Sequence, residues 1–186
     1  VCLQAVGVLR ESGHEHLRGS LVGPFVDEND RVGNMYGRKI AMASSLRKGT
    51  PLHLYLPGPH RGVLNPGVFS TTDVILCEAP IDALTLLSHG FTHTTTIFGT
   101  EGLSEEIFAR LTSGSVERVT LAYDHDEAGE RAAALHADRF AAHGLAVLRM
   151  ELPEGMDVNA LVTTSSDPKA ALAHAIENAR VLHAHS

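Results

Sequence analysis

The hydrophobic positions of residues 73–165 fall into short apolar runs, which are separated by longer stretches with helical spacing. Four of these runs predict buried strands, and they are DVILC (73–77), HTTTIF (93–98), RVTLAY (118–123) and LAVLRM (145–150). Strands that alternate with helices of ordinary length favour a parallel sheet with helices on both faces. The pattern therefore predicts an α/β fold with about four parallel strands.

Signals for the start and the end of helices lie between the apolar runs. Pro80 suits the first position of one helix, and Ser104 suits the N-terminal cap of a second. A third helix is predicted from about Glu127 to His143, and Gly144 is a typical residue just beyond a helix end. These helices connect the four predicted strands in order.

The first 72 residues follow a different pattern, with turn formers between short extended segments. Residues 19–40 predict a β-hairpin around a turn at 27–30, and residues 52–56 predict a short strand. We therefore divide the chain into a small β-rich subdomain (1–72), an α/β domain (73–165) and a C-terminal helix (166–186) that packs on it. The last helix is predicted to open at Asp167-Pro168 and to carry Leu182 on its inner face.

The composition excludes several classes of protein. The chain has 186 residues and no run of 18 apolar residues, so no membrane span is expected. Its two cysteines lie far apart, which supports neither a zinc site nor a disulfide framework. Cys77 is expected to be a buried free thiol in a reducing, cytoplasmic setting. Because Val1 is not an initiator Met, we interpret the chain as a piece of a longer protein.

Charge is distributed unevenly along the chain. Its net charge is −7, but residues 1–72 carry +3 and residues 73–186 carry −10. The segment from residue 31 to residue 72 contains no acid and six cations, namely Arg31, Arg38, Lys39, Arg47, Lys48 and Arg61. A basic half beside an acidic half suits phosphates held between cations and a metal site. A solvated basic surface explains the same pattern equally well.

Acidic residues follow the predicted strands at the edge where open parallel sheets bind ligands. Glu78 directly follows the first strand, and Asp82 lies in the first turn of the next helix. Asp124 and Asp126 follow the third strand, and Asp157 lies in the loop after the fourth. Acids from several strand ends are expected to converge on one cleft.

Carboxylates that share one cleft repel each other, and a divalent cation relieves that repulsion. Mg²⁺ binds through hard oxygen ligands and keeps positions open for water or phosphate, and Mn²⁺ is expected to substitute. The acids therefore predict a Mg²⁺ site for phosphoryl chemistry.

Three of these acids also have a structural explanation. Asp126 and Asp157 could cap the helices that follow them, and Asp82 could be favoured by the helix dipole. Glu78 has no such capping role. His125 is interpreted as a solvent-facing spacer, and Gly99-Thr100 as a tight turn near phosphate.

The ordered set of motifs resembles a known family. EAPID (78–82), IFGT (97–100) and DHDEAG (124–129) match, in order and spacing over residues 73–165, the Toprim domain of bacterial DnaG-type primases, topoisomerases and OLD-family nucleases. The resemblance implies a Toprim fold. It also implies that Glu78, Asp124 and Asp126 are catalytic and metal-binding, with Asp157 as a further metal ligand and Asp82 as a supporting acid.

Two further stretches favour the primase branch. LPEGMDVN (152–159) resembles the primase loop that supplies another metal-site carboxylate, and residues 22–40 resemble the primase hairpin leading to a Gly-Arg pair. HLYLPGPHRGVLN (53–65) is more similar to primase-like proteins of phages, plasmids and mobile elements. The cations expected to contact nucleic acid or nucleotide are Arg38, Lys39, Arg47, Lys48 and Arg61.

The sequence departs from the primase pattern in two respects. Asn159 stands where primases commonly have a second acid, which bears on the number of bound metals. The zinc-binding module that usually precedes the primase core is not in this chain, and the basic half is shorter than in a full core.

The leading hypothesis is RNA primer synthesis, with single-stranded DNA as template, NTPs as substrates and a replicative helicase as a possible partner. A Toprim nuclease and a non-catalytic nucleic-acid or partner-binding module remain alternatives. A phosphoacceptor receiver domain is more distant, because its acid pair would follow the first strand.

Overall fold

The computed structural model describes residues 2–99 and 102–184, and the chain divides into two compact units, residues 1–64 and 65–186. The sequence-based division at residue 72 differs, because the short 3₁₀ helix Pro66–Ser70 contacts strands of the second unit. Asn65 begins that unit. Its side-chain amide donates to the carbonyls of Thr92 and Thr94, at 2.9 Å each.

The first unit contains a three-stranded antiparallel sheet in the order β1-β2-β3. The predicted hairpin is present as β1 (Ser20–Val26) and β2 (Val32–Lys39), and the predicted short strand is β3 (His53–Tyr55). Phe25 of β1 and Tyr36 of β2 are both fully buried and belong to the apolar core of this unit. A 3₁₀ helix at Ala43–Ser45 lies between β2 and β3.

The second unit has a five-stranded sheet in the order β5-β4-β6-β7-β8. Its four parallel strands correspond to the four predicted runs, and they are β4 (Asp73–Cys77), β5 (Thr94–Thr96), β6 (Arg118–Ala122) and β7 (Ala146–Arg149). Helices α1 (Pro80–Ser88), α2 (Glu105–Ser113) and α3 (Glu127–Ala141) connect them. The predicted α/β fold is therefore confirmed.

Helices lie on both faces of this sheet. Leu148 and Ile75 line one groove together with Ile176 of a later helix, whereas Arg149 pairs with Glu130 of α3. Because consecutive strand residues point to opposite faces, Leu148 and Arg149 mark the two covered sides. On the α3 side, the rings of Phe108 and Phe140 stack at 5.6 Å.

The C-terminal segment differs from the prediction. After α4 (Val158–Thr164), helix α5 (Pro168–Glu177) opens at Asp167 as expected, but it does not reach Leu182. Residues 180–183 instead form β8 (Arg180–His183), which pairs antiparallel with β7. Asn178 ends the helix, where its side-chain amide donates to the His174 carbonyl at 2.8 Å. The prediction extended the helix too far because apolar residues continue beyond its end. In residues 180–183 these apolar residues belong to a strand.

Two smaller expectations are confirmed. Ser104 caps α2, where its hydroxyl accepts a hydrogen bond from the Ile107 amide at 3.2 Å. Cys77 is a buried free thiol. None of the described helices has the length and apolar character needed to cross a membrane.

Gly129 lies where α3 begins, against the backbone at the end of β6. A Cβ atom at this position would stand 2.1 Å from the Asp124 carbonyl oxygen, which is far inside contact distance. The Gly129 amide also donates to Asp126 Oδ1 at 2.8 Å. The glycine therefore allows the helix to approach the strand end closely.

We predict that Gly129→Ala lowers the thermal unfolding midpoint. In a helix interior, alanine is normally more favourable than glycine by about 1 kcal/mol. Here the added methyl forces the helix away from Asp124, with an overpacking cost of about 1–3 kcal/mol. Gly67→Ala is the matched control, since its nearest contact would be Asn65 Oδ1 at 3.7 Å. Equal unfolding midpoints for the two variants would contradict the close approach at Gly129.

Candidate metal and phosphoryl-transfer site

The acidic residues gather at the carboxyl edge of the parallel sheet. Glu78 follows β4 and Asp124 follows β6, and these two strands are neighbours. Asp157 precedes α4 in the loop after β7, which is the next strand. The topology therefore brings together acids that are up to 79 residues apart in the chain.

Burial and mutual repulsion raise the pKa values of three of these acids. The pKa of Glu78 rises to about 7, chiefly because of burial and then because of the charge of Asp124. The pKa of Asp82 also rises to about 7, through burial and the charge of Asp157. Burial, followed by the charges of Asp157 and Asp126, raises the pKa of Asp124. Five acids therefore share one electrostatic environment.

Three of the acids accept hydrogen bonds from backbone amides in the first turn of a helix, which supports their structural explanation. Asp126 caps α3 through the Gly129 amide, and Asp157 caps α4 through the Ala160 amide. Asp82 is 2% exposed, and its Oδ1 accepts a hydrogen bond from the Asn159 amide at 3.0 Å. Each of these bonds uses a single carboxylate oxygen, so a capping role and a metal-binding role are compatible at these positions.

Glu78 differs from those three acids. Its Oε2 is buried and has no hydrogen-bond partner within the described part of the chain. A buried polar atom without a partner is costly, and a cation is one way to satisfy it. The backbone amide of Asp124 binds the Glu78 carboxylate and lowers its pKa in part, which ties the two strand ends together.

A divalent metal fits the chemistry of this acid set, although the side chains do not enclose one as they stand. Among residues 2–99 and 102–184, no three His, Cys, Asp or Glu side chains are grouped closely enough to hold an ion. The unpartnered Oε2 of Glu78 and the raised pKa values of its neighbours are what an ion at this edge would relieve.

Arg149 was not among the residues selected from the sequence. Its side chain is 2% exposed and donates to the backbone carbonyls of Tyr123 and Asp124, at 2.8 Å and 3.0 Å. It also pairs with Glu130 at 2.7 Å. The only signal in the sequence was a charged residue inside the apolar run LAVLRM, a position where a buried partner is expected.

His125 is also different from its predicted role as a solvent-facing spacer. Its Nδ1 lies 2.5 Å from the Leu152 carbonyl. Its backbone amide donates to Met156, and its carbonyl accepts from Gly155. His125 therefore joins the loop that carries Asp124 to the loop that carries Asp157.

The turn after β5 is only partly described. The Gly99 amide donates to the Glu78 carbonyl at 3.1 Å, so the turn lies beside the acid that ends β4. Gly99 has a φ of 93°, a left-handed conformation that favours glycine. Thr100, the other residue of the predicted phosphate turn, lies outside the described residues.

The predicted nucleic-acid cations all belong to the first unit, but they do not share one face. Arg38 and Lys39 are consecutive in β2 and therefore point to opposite sides of the sheet. Arg47 and Lys48 are exposed in the segment after the 3₁₀ helix. Arg61 is exposed beside Gly62.

The cations differ in how their charge is used. Arg31 is neutralised by Asp27 in the hairpin turn, at 2.9 Å. Lys39 donates to the Arg18 carbonyl. In the described part of the chain, Arg47 and Lys48 form no salt bridge, so their charge is available to a ligand.

Comparison with known families supports the resemblance seen in the sequence. Residues 75–162 match a family model described as Toprim-like. This match covers the strands and loops that carry all five acids of the site. A comparison with curated protein sequences gives no significant match.

Solved structures with the same fold include primase cores. A primase domain from Pseudomonas aeruginosa is 22% identical with a TM-score of 0.74, and the match covers 97% of this chain and 59% of that one. A DnaG primase catalytic domain bound to single-stranded DNA is 22% identical with a TM-score of 0.75, covering 97% and 58%. The Aquifex aeolicus primase, solved with zinc-binding and RNA polymerase domains, is 22% identical with a TM-score of 0.71, covering 91% and 42%.

These likenesses establish the fold. The chain spans less than two thirds of the length of each of these primase chains. Both units of the chain take part in the match, because 97% of it is covered.

We predict that Asp82→Asn stabilises the metal-free protein at pH 8. The folded pKa of Asp82, about 7, exceeds its ordinary value of 3.8, so its contribution to stability is present below pH 4 and lost as the pH rises through 7. Removing the charge should therefore raise the free energy of unfolding by about 2 kcal/mol at pH 8, with little change at pH 4.

The measurement is urea unfolding in EDTA at both pH values. Asp138→Asn is the control, since Asp138 is exposed and forms an ion pair with His183 at the surface. If Asp82→Asn is less stable than the wild type at pH 8, the ionised Asp82 carboxylate is not destabilised by its neighbouring acids, and the prediction is wrong.

Proposed function

From the match of residues 75–162 to a Toprim-like family model, we propose that this chain carries out metal-dependent nucleotidyl transfer. The reaction is RNA primer synthesis on a DNA template. The observation that carries the proposal is that the likeness to primase cores extends over 97% of the chain, including the unit that precedes the Toprim-like segment. A likeness limited to that segment would favour a nuclease equally well.

In this proposal, a primer 3′-hydroxyl attacks the α-phosphate of an NTP, and pyrophosphate leaves. Glu78 lies at the centre, because its unpartnered Oε2 can bind a metal or accept the proton of the attacking hydroxyl. Asp124, Asp126 and Asp157 would hold Mg²⁺ together with Glu78, and Asp82 would support them. Mg²⁺, when bound, supplies positive charge next to the phosphate under attack, and Mn²⁺ can substitute.

Cations of the first unit contact the template or the nucleotide, and single-stranded DNA and NTPs are the proposed ligands. The DnaG primase domain whose structure contains single-stranded DNA supports this assignment. Arg38, Arg47, Lys48 and Arg61 are the contact residues, with Lys39 as a further member. A replicative helicase is the proposed protein partner, and the cytoplasm is the proposed setting.

We predict that Glu78→Gln abolishes primer synthesis. The substitution keeps the size of the side chain but removes the charge, so RNA products should fall at least about 100-fold. The assay supplies single-stranded DNA, NTPs and Mg²⁺ or Mn²⁺, both with this chain and with any longer natural protein that contains it. Glu154→Gln is the control, because Glu154 is an exposed glutamate in the loop before Asp157.

Each outcome of this assay has a distinct meaning. RNA products lost only in Glu78→Gln support the proposal. Metal-dependent cleavage of the template without NTPs would contradict primer synthesis and support the nuclease alternative. Retained DNA binding with neither activity replaces it with the non-catalytic binding module.

We predict that nucleic acid binds through Arg47 and Lys48. Cations that contact phosphates release counterions, so affinity should fall steeply with salt. Arg47→Ala/Lys48→Ala should weaken binding of single-stranded DNA and reduce the slope of log K against log salt by about 1.4. Arg31→Ala is the control, since Asp27 already neutralises Arg31. An unchanged slope in the double variant places the binding surface elsewhere.

A further inference from the structure

Arg149 lies at the end of β7, with its guanidinium buried beneath the acidic edge of the sheet. The side chain is 2% exposed, although arginine is almost never fully buried without partners. An uncompensated charge in this position would cost several kcal/mol. The hydrogen-bond partners of Arg149 therefore show how its buried charge is compensated.

Those partners form two sets. Nη1 and Nη2 donate to backbone carbonyls at the end of β6 and just after it, those of Leu121 at 3.3 Å, Tyr123 at 2.8 Å and Asp124 at 3.0 Å, and Nη1 also reaches the Met150 carbonyl at 3.5 Å. Nε and Nη2 both donate to Oε1 of Glu130, at 3.1 Å and 2.7 Å. The planar guanidinium thus joins the end of β6 to the first turn of α3.

This segment is the one from which Asp124 enters the acid site. The Leu121 carbonyl also accepts a hydrogen bond from the Met150 amide at 2.9 Å. The Tyr123 hydroxyl lies 2.8 Å from Nδ1 of buried His136. Two sets of contacts therefore fix the strand end. One is the contact of the Tyr123 hydroxyl with His136, and the other is the set of hydrogen bonds from the Arg149 guanidinium. The carboxylate of Asp124 projects from a backbone that has little freedom to move.

Glu130 determines what the charge of Arg149 does to the site. A lone guanidinium beneath the acids would oppose the binding of a divalent cation. Glu130 offsets that charge within 2.7 Å, so the pair contributes geometry more than net charge. Arg180 also approaches Glu130 at 4.0 Å, but it is more than half exposed.

We infer that Arg149 is a positioning residue that holds Asp124 in the geometry needed for metal binding, with Glu130 as its charge partner. The inference rests on the proposed metal site. It assigns to the buried Arg149 guanidinium a role in metal affinity, in addition to its role in packing. Several backbone carbonyls and one carboxylate require donors that diverge in one plane, and arginine alone among the side chains supplies them.

The substitution Arg149→Lys separates geometry from charge. Lysine keeps the positive charge and much of the aliphatic stem, but one ammonium group cannot reach the carbonyls of both Tyr123 and Asp124 and the Glu130 carboxylate. We expect the affinity for Mn²⁺, measured by calorimetry on the folded variant, to fall at least 10-fold. Arg180→Lys is the matched control and should stay within twofold of the wild type.

Glu130→Gln tests the alternative that charge alone matters. This variant keeps a side-chain oxygen that can accept hydrogen bonds from the Arg149 guanidinium but removes the negative charge. If positioning dominates, its Mn²⁺ affinity should change much less than that of Arg149→Lys. A loss in Glu130→Gln that exceeds the loss in Arg149→Lys would overturn the inference.

A measurement on the wild type keeps the inference testable if Arg149→Lys does not fold. The guanidinium protons of Arg149 should give resolved, slowly exchanging NMR signals, and Mg²⁺ should shift them but not those of Arg180. Averaged signals, or no response to Mg²⁺, would overturn the inference.

The outcomes also separate this inference from the proposed function. A wild-type chain that binds neither Mn²⁺ nor Mg²⁺ removes the metal site and the role of Arg149 together. A wild type that binds Mn²⁺, with an Arg149→Lys variant that binds it equally well, removes the role of Arg149 alone.

Discussion

Repulsion between carboxylates at one edge of the sheet is the interaction on which the second unit depends. Burial and neighbouring charges raise the pKa values of Glu78, Asp82 and Asp124, so the folded state resists full ionisation of this edge. Proteins keep such unfavourable arrangements where a ligand compensates for them. A cation at this edge, as proposed above, would relieve the repulsion. In the structure, the residues around the acids provide the restraint that keeps them together.

That restraint comes from backbone groups and from one buried ion pair. The first turns of α3 and α4 bind Asp126 and Asp157, which fixes their carboxylates while using one oxygen of each. Arg149 and Glu130 fix the strand end before Asp124. Gly129 then allows α3 to start within contact of that strand end. Several elements thus hold the acids near each other despite their charge.

The sequence predicted those parts of the fold that depend on local pattern. Apolar runs located the four parallel strands, and the cap at Ser104 was correct because capping is decided within one turn. The strand β8 was not predicted, since Leu182 and the apolar residues of α5 fit the spacing of one extended helix. The pairing with the edge of β7 that makes this segment a strand is not visible in the local sequence. The role of Arg149 was missed for a related reason, as its partners lie 19 to 28 residues away.

Asn159 illustrates how the same edge can differ from the primase pattern and still be ordered. Its backbone amide binds Asp82, and its side-chain oxygen accepts a hydrogen bond from Thr85 of α1 at 3.3 Å. Thr85 is itself nearly buried, so this contact attaches α4 to α1. An aspartate at this position would add a sixth charge to an edge where the pKa of Asp82 is already raised. The amide keeps the contact between the helices without adding to the repulsion, at the cost of one oxygen ligand with full negative charge.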